Sequence, residues 1–357
     1  MVAQALETQE RGSSMRKKVA VIILNWNGAK MLAQFLPSVV RYSQLEGVAV
    51  YVADNGSTDD SIEVVEQLFP SVQLLVFSQN YGFAEGYNKA ISAIDAEYVV
   101  LLNSDVEVAP NWLSPMIDYM DAHPEVAACQ PKIRSWRSKA YFEYAGACGG
   151  FIDPYGYPFC RGRILNTIEK DDGQYDSVIP VFWATGAALF CRRDIYLEVG
   201  GLDARFFAHM EEIDLCWRMN ARGHRIVVIP DSKVYHVGAA TLSQSNPKKT
   251  FLNFRNNLVM IYKNLPEKDL KKVLLIRLIL DYIAILVFIL KGELQNAKAV
   301  WRARRAFREM KKMYSTTRLE NLELTVQKPP GILSKSLIFQ YYLKGVTKFS
   351  QLKQTND

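Results

Sequence analysis

Two periods alternate along the first hundred residues. Val19–Leu24 is an apolar, β-branched run that stops at Asn25-Trp26-Asn27-Gly28, the pattern of a buried strand entering a loop. Ala29–Tyr42 then spaces its apolar residues as a helix does. Val48–Ala53 is a second strand, ending in Asp54-Asn55-Gly56-Ser57-Thr58-Asp59, a polar turn that also caps a helix over Ser61–Leu68. A third strand (Val72–Val76), a helix (Phe83–Ile94) and a fourth strand (Tyr98–Leu102) follow, the last stopping at Asn103-Ser104-Asp105. This alternation predicts an α/β fold with a Rossmann-like, mostly parallel, doubly wound sheet. In such sheets ligands bind beyond the carboxyl ends of the strands, where these polar clusters fall.

After Asp105 the pattern changes. A helix is expected over Pro110–Asp121 and a strand near Val126–Ile133. Arg134–Pro180 is rich in Gly, Pro and aromatics without a period, and reads as an irregular insertion lining a site. Val181–Arg192 reads as a strand with Thr185-Gly186-Ala187 in its middle, Glu211–Arg222 as a helix, and Arg225–Ile229 and Lys233–His236 as short strands. Thr250–Asn264 is helical, and Val273–Leu290 is 18 residues long with only Arg277 and Asp281 charged. No internal repeat is present.

Charge divides the chain. From Asn246 onward 22 Lys and Arg face 8 Asp and Glu, a net of +14, so the first 245 residues carry −8 and the whole chain +6. An acidic body and a basic tail imply two jobs. The domains expected are a disordered segment over 1–17, a catalytic domain over 18–245 and a basic helical tail over 246–357. The five cysteines have neither disulfide-framework nor zinc spacing and read as reduced core thiols. Met1–Lys18 has no apolar core of a secretory signal, so a cytoplasmic location is expected.

Asn25, Asn27, Asp54, Asn103 and Asp105 fall at strand ends, where any one cluster alone reads as a turn but together they are expected to converge on one sheet edge as a nucleotide-sized site. Asp105 can reach a divalent cation bridging two phosphates, where Mg²⁺ or Mn²⁺ would act as a Lewis acid. His236 could complete its ligand set or be a structural histidine. Glu211-Glu212-Ile213-Asp214 puts three carboxylates at a helix start. They either complement the helix dipole or include a general base, its pKa raised by like charges. The small residues opening the helix after Asn80 could offer backbone donors to a phosphate or sugar oxygen, or simply start a helix.

Seven blocks now stand in order: VIILNWNG (Val21–Gly28), VADNGSTDDS (Val52–Ser61), NYGFAEGYNKA (Asn80–Ala90), LLNSDVEV (Leu101–Val108), ATGAALFCRRD (Ala184–Asp194), FFAHMEEIDLCWR (Phe206–Arg218) and VYHVGAAT (Val234–Thr241). Over Lys18–Leu265 the chain resembles the family 2 glycosyltransferases, particularly their rhamnosyltransferase-like branch. The resemblance implies a GT-A fold, a nucleotide-sugar donor and inversion at the anomeric carbon. It implies that Asn25, Asn27 and Asp54 hold base and ribose, with Asn80, Gly82, Asn88, Asn103 and Ser104 along the donor. Asp105 would bind Mg²⁺ or Mn²⁺ with His236 as co-ligand. Thr185 and Gly186 would shape the acceptor side, with Arg218 behind the catalytic carboxylates Glu211, Glu212 and Asp214. Two departures stand out: the usual D-x-D reads Asn-Ser-Asp, and the usual Glu-Asp of the base motif reads Glu211-Glu212, leaving Glu212 or Glu211 as the base.

The resulting expectation is an inverting, metal-dependent enzyme using dTDP-rhamnose on a lipid-linked or polysaccharide acceptor. A UDP-hexose donor and a catalytically inactive nucleotide-sugar-binding protein are the alternatives. In the tail, Val273–Leu290 reads as an amphipathic helix lying on the inner face of the cell membrane. The Arg-rich stretch Lys291–Lys312, with eight basic and two acidic residues, would touch anionic headgroups. A buried core helix, a subunit interface in a homo-oligomer and a single span are the competing readings. No nucleic-acid-binding module accompanies Arg302–Arg308, so nucleic acid is not an expected partner.

Overall fold

A computed structural model describes residues 16–238 and 246–352. The expected disordered segment, apart from its last two residues, and the end of the seventh block (Ala239–Thr241) lie outside the described residues.

The strands and helices of the first half follow their sequence patterns closely. They are β1 (Lys17–Asn25), α1 (Ala29–Tyr42), β2 (Val48–Asp54), α2 (Ser61–Leu68), β3 (Gln73–Val76), α3 (Gly82–Ala93) and β4 (Ala96–Asn103). These four strands pair in parallel in the order β3-β2-β1-β4. Beyond them come β5 (Val106–Val108), α4 (Ser114–Ala122) and β6 (Val126–Ser135). A small antiparallel sheet follows: β7 (Gly150–Ile152), β8 (Pro158–Cys160), β9 (Arg163–Ile164) and β10 (Thr167–Ile168). This sheet occupies part of the stretch whose sequence shows no period, because two- and three-residue strands are too short to leave one.

The large sheet is completed by β11 (Ile179–Pro180), β12 (Ala188–Arg192) and β13 (Arg225–His236), with α5 (Arg193–Glu198) and α6 (Glu211–Ala221) between the last two. β12 enters antiparallel between β4 and β6, so the sheet is parallel on one side and mixed on the other. The strand expected over Val181–Arg192 is shorter than its apolar run. Thr185–Ala187 forms a turn in which the Thr185 hydroxyl oxygen accepts from the Ala187 amide. The two short strands expected near the end of this region are one strand, β13, with a bulge between Ile229 and Lys233.

Alternation along β1 sets the two cores. Val19, Val21 and Ile23 face α1, α2 and α4, while Ala20 and Ile22 face α3 and the layer containing α6. Each fully buried aliphatic side chain contributes about 1.5–3 kcal/mol. All five cysteines are buried and unpaired with one another.

The C-terminal part holds α7 (Pro247–Asn264), α8 (Glu267–Leu290), α9 (Leu294–Met313), α10 (Ser315–Glu323) and α11 (Leu337–Lys344). The charge boundary at residue 246 is not a packing boundary. α7 is largely buried against the body, and the chain returns after α10 so that Phe349 packs on Phe151, Phe159 and Tyr175. α8 and α9 form the outer layer.

Candidate active site

Register brings the first polar clusters together. Asn25 pairs with Asp54 across β1 and β2, and Leu24 with Asn103 across β1 and β4. The buried Asn25 amide donates to Asp54 Oδ2 at 3.1 Å, and Asp54 Oδ1 accepts from the Ser57 amide at 2.8 Å. Asn27, at φ 50°, accepts from the Thr58 amide at 2.7 Å. Asn25 Oδ1 is buried without a partner. A Cβ at Gly28 would stand 2.3 Å from that oxygen and 3.9 Å from Ser104 Oγ, so this loop also borders the Asn103–Asp105 turn.

The second set of donor-side residues divides. Asn80 Oδ1 accepts from the Gly82 amide at 2.8 Å and from Asn55 at 3.1 Å, which shapes the start of α3. Gly82 has φ +80°, and a Cβ there would meet the Phe207 ring at 2.7 Å. Asn88 turns elsewhere: its amide oxygen accepts from Tyr196 and the Leu202 amide, and its nitrogen donates to the Leu202 carbonyl. That side chain is committed to the 196–202 loop instead of lying open along a donor.

Asp105 and His236 meet across the end of the sheet, with Oδ1 to Nε2 at 3.1 Å. Asn103 Nδ2 lies 3.4 Å from the same ring nitrogen. On the far side of the ring, Nδ1 is 3.5 Å from Glu143, a residue the sequence reading missed. Its only signal is a single carboxylate in the aromatic run Tyr141–Tyr144. Gly238, at φ +67°, leaves room for it, since a Cβ there would stand 2.6 Å from Glu143 Oε1. Burial pulls the His236 pKa down, but the charge of Glu143 and the contacts with Asp105 and Glu143 raise it to about 10. An imidazole held between two carboxylates is a place for positive charge, supplied by a proton or by a metal ion. Among the described residues no three His, Cys, Asp or Glu side chains converge to cage an ion. The arrangement therefore fits a cation that takes most of its oxygen ligands from phosphates and water, as Mg²⁺ and Mn²⁺ do.

The three carboxylates of α6 have different surroundings. Asp214 is fully buried and paired, accepting from Arg218 at 3.1 Å, Lys263 at 2.8 Å and Asn264 at 2.8 Å. Burial raises its pKa, but Lys263 and Arg218 outweigh that and hold it below the usual range. Arg218 spends its other nitrogens on the carbonyls of Val199 and Gly201. This pair anchors α6, and Asp214, with both oxygens taken, is not free for the catalytic part expected of it. Glu211 Oε2 and Glu212 Oε2, by contrast, are buried with no partner. Burial lifts both, Glu211 further through the charge of Glu212, and Glu212 to about 7. Buried orphan carboxylates at a sheet edge are what a proton-transfer site requires.

The loop before them is strained. Phe207, His209 and Met210 all have positive φ (67°, 71° and 72°). Asn256 of α7 holds this shape by donating to the carbonyls of Phe206, Ala208 and His209 at 3.0, 2.9 and 2.8 Å. Sequence reading did not find Asn256, which comes from the region assigned to the tail. The Thr185–Ala187 turn joins the two halves of the site. The Ala187 carbonyl accepts from the Asn103 amide at 3.0 Å, and a Cβ on Gly186 would lie 3.7 Å from Glu212 Cβ. The Asn25–Asp54 edge, the Asp105–His236 pair and the Glu212 carboxylate thus lie along one rim.

The family model for glycosyl transferase family 2 matches residues 20–188. Over that segment, just under half of its length, the chain is similar to the family 2 glycosyltransferases. In sequence this glycosyltransferase is similar to the N-acetylglucosaminyl-diphospho-decaprenol L-rhamnosyltransferase of Mycobacterium tuberculosis, 28% identical over 236 residues, which cover 62% of this chain and 76% of that one. In structure it is similar to residues 1–349 of TarS from S. aureus in complex with UDP, with TM-score 0.53 at 18% identity, covering 86% of this chain and 88% of that one. It is also similar to GalNAc-T7 with UDP, GalNAc and Mn²⁺, with TM-score 0.56 at 14% identity, covering 71% of this chain and about half (49%) of that enzyme. The glycosyltransferase has a GT-A fold.

Proposed function

We propose that this enzyme inverts configuration as it moves a sugar from a nucleoside diphosphate to an acceptor hydroxyl, with Glu212 as base. One observation carries the reading: the Thr185–Ala187 turn accepts from Asn103, in the Asp105 cluster, and passes so close to Glu212 that a Cβ on Gly186 would meet it. The leaving diphosphate and the acceptor oxygen can therefore be served from opposite sides of one small gap. Asn25, Asn27 and Asp54 form the floor for base and ribose. Asp105 and His236 would hold a divalent cation, which when bound would supply Lewis-acid neutralisation of the departing diphosphate. The acceptor oxygen bonds to the anomeric carbon as the carbon–oxygen bond to the diphosphate breaks, and the acceptor proton passes to Glu212. The orphan Oε2 of Glu212 is the atom available to take it. Asp214 and Arg218 fix the helix on which that carboxylate stands.

The donor proposed is dTDP-rhamnose and the acceptor a lipid-linked glycan at the cytoplasmic membrane face. The similarity to a rhamnosyltransferase named for a diphospho-decaprenol acceptor supports this. The test supplies purified protein with Mn²⁺ or Mg²⁺ and a panel of dTDP- and UDP-sugars, and follows release of nucleoside diphosphate. Metal-dependent hydrolysis of dTDP-rhamnose, lost in Asp105→Ala, is the expected result. Hydrolysis of a UDP-hexose alone would overturn the donor. Failure to bind any donor, with or without metal, would overturn the enzyme reading.

A further inference from the structure

Helix α8 is inside out. Its only charged residues between Val273 and Leu290, Arg277 and Asp281, are 2% and 0% exposed, while Leu275, Ile279, Ile283, Leu286 and Leu290 are 51–78% exposed. One turn apart, the two charges point together into the protein. Arg277 donates to the Tyr155 carbonyl at 3.0 Å and to Asn257, and stacks over Tyr157 at 4.3 Å. Asp281 accepts from Arg277 at 3.3 Å and from Arg304 of α9. The fold thus buries the helix's polarity and turns its oil outward, the reverse of a helix facing water. Among the described residues α8 is the one helix long and apolar enough to cross a membrane, with a mean hydropathy of 2.7 and 17% of that window buried.

We infer that the outer face of α8 is a bilayer-docking surface, lying in the plane of an anionic membrane with its apolar side chains among the upper acyl chains. This deepens the membrane location proposed above and is independent of the donor. Crossing is excluded by connectivity. α9 runs back against the body, burying Ala297, Val300, Ala303 and Phe307, so both ends of α8 are tied to the same side. Charge favours a lipid headgroup layer. Lys268, Lys271 and Lys272 are exposed at one end of α8, outnumbering the exposed Glu267 and Asp269 there, and Lys291 is exposed at the other. The outer stripe of α9 runs Lys298, Trp301, Arg305, Arg308 at three- and four-residue spacing. A Trp among basic residues beside an apolar helix suits the membrane–water interface.

A second copy of the chain fits less well. A 24-residue helix is about 36 Å long and presents about 360 Å² if its face is about 10 Å wide. A stable interface needs about 800 Å² per partner. Pairing would also set these basic ends near their own copies.

The experiment is co-sedimentation of the full chain with phosphatidylcholine vesicles, with and without phosphatidylglycerol. The variants are Ile283→Glu/Leu286→Glu, Arg305→Glu/Arg308→Glu and Trp301→Phe. Wild type is expected to bind the phosphatidylglycerol vesicles, with affinity falling at least tenfold in each double variant. Quenching of tryptophan by brominated lipid should largely disappear in Trp301→Phe. Donor hydrolysis without vesicles should stay at the wild-type rate in every variant, which separates this inference from the catalytic reading and verifies folding. Absence of wild-type binding, or binding unaltered by the two glutamates, overturns the inference. So does a wild-type dimer in sedimentation velocity that Ile283→Glu/Leu286→Glu dissolves, because the face would then join two copies.

Discussion

Two buried charge clusters sit on either side of α7, and they are built on opposite rules. Under α8, both oxygens of Asp281 are answered, by Arg277 and Arg304, and Asn257 takes a further Arg277 nitrogen, so only the two guanidinium Nε atoms are left without a partner. At the start of α6, Glu211 and Glu212 each keep a buried oxygen that nothing in the protein answers. A cluster in which each charge has an opposite partner can be passive, because its desolvation is partly offset internally. A carboxylate oxygen without a partner is costly to bury, and on the function proposed above the acceptor proton is what completes it. Asp214 shows the rule operating within one helix: three residues from Glu211, it is fully paired and belongs to the scaffold.

That contrast can be broken experimentally. Glu212→Gln should cut transfer by about a thousandfold while the protein still folds and binds donor, since general bases contribute about 10²–10⁴. An acceptor-dependent assay beside a donor-binding titration checks it. Asp281→Ala should do the reverse. Removing the one carboxylate that both guanidinium groups share costs about 3–5 kcal/mol, read as a lower thermal midpoint with turnover per folded molecule preserved. Asn256→Ala lies between them. It strips the donor from three carbonyls, costs about 1–3 kcal/mol, and should lower kcat more than it changes KM for the donor, because it loosens the loop that positions Glu212.

The smallest effects are those of pH. A base must be ionised, so the transfer rate should rise with pH through about 7 and level off above it. Stability runs the other way. Glu212 keeps its proton in the folded state up to about 7, whereas the unfolded chain releases it near 4.5, so this group's contribution falls as pH rises between those values. Unfolding titrations of wild type and Glu212→Gln should differ by on the order of 2 kcal/mol over that window, the variant being flatter.

The parallel half of the sheet was legible because each strand there is long enough to show its period and ends in a polar cluster. Asn25, Asp54, Asn103 and Asp105 meet because register follows from those strand ends. The rest depends on contacts between distant segments. Glu143 acquires meaning only when β13 brings His236 beside it. Asn256 does so only when α7 packs under the strained loop. Asn88 and Arg218 sit in family blocks, yet the structure spends them on the 196–202 loop, which motif position alone does not reveal. In α8 the i,i+4 spacing of Arg277 and Asp281 showed one polar stripe, but not which way that stripe faced.

The clamp by Asn256 also sets an order of events during synthesis. The loop ahead of Glu211 leaves the ribosome well before α7 does, and until α7 arrives its three left-handed residues lack the amide that ties the carbonyls of Phe206, Ala208 and His209 together. The helix that follows α7 at once is the oily one. A nascent chain therefore completes its chemistry and exposes its greasiest segment within the same short interval, leaving little time in which a finished catalyst lacks its place to dock.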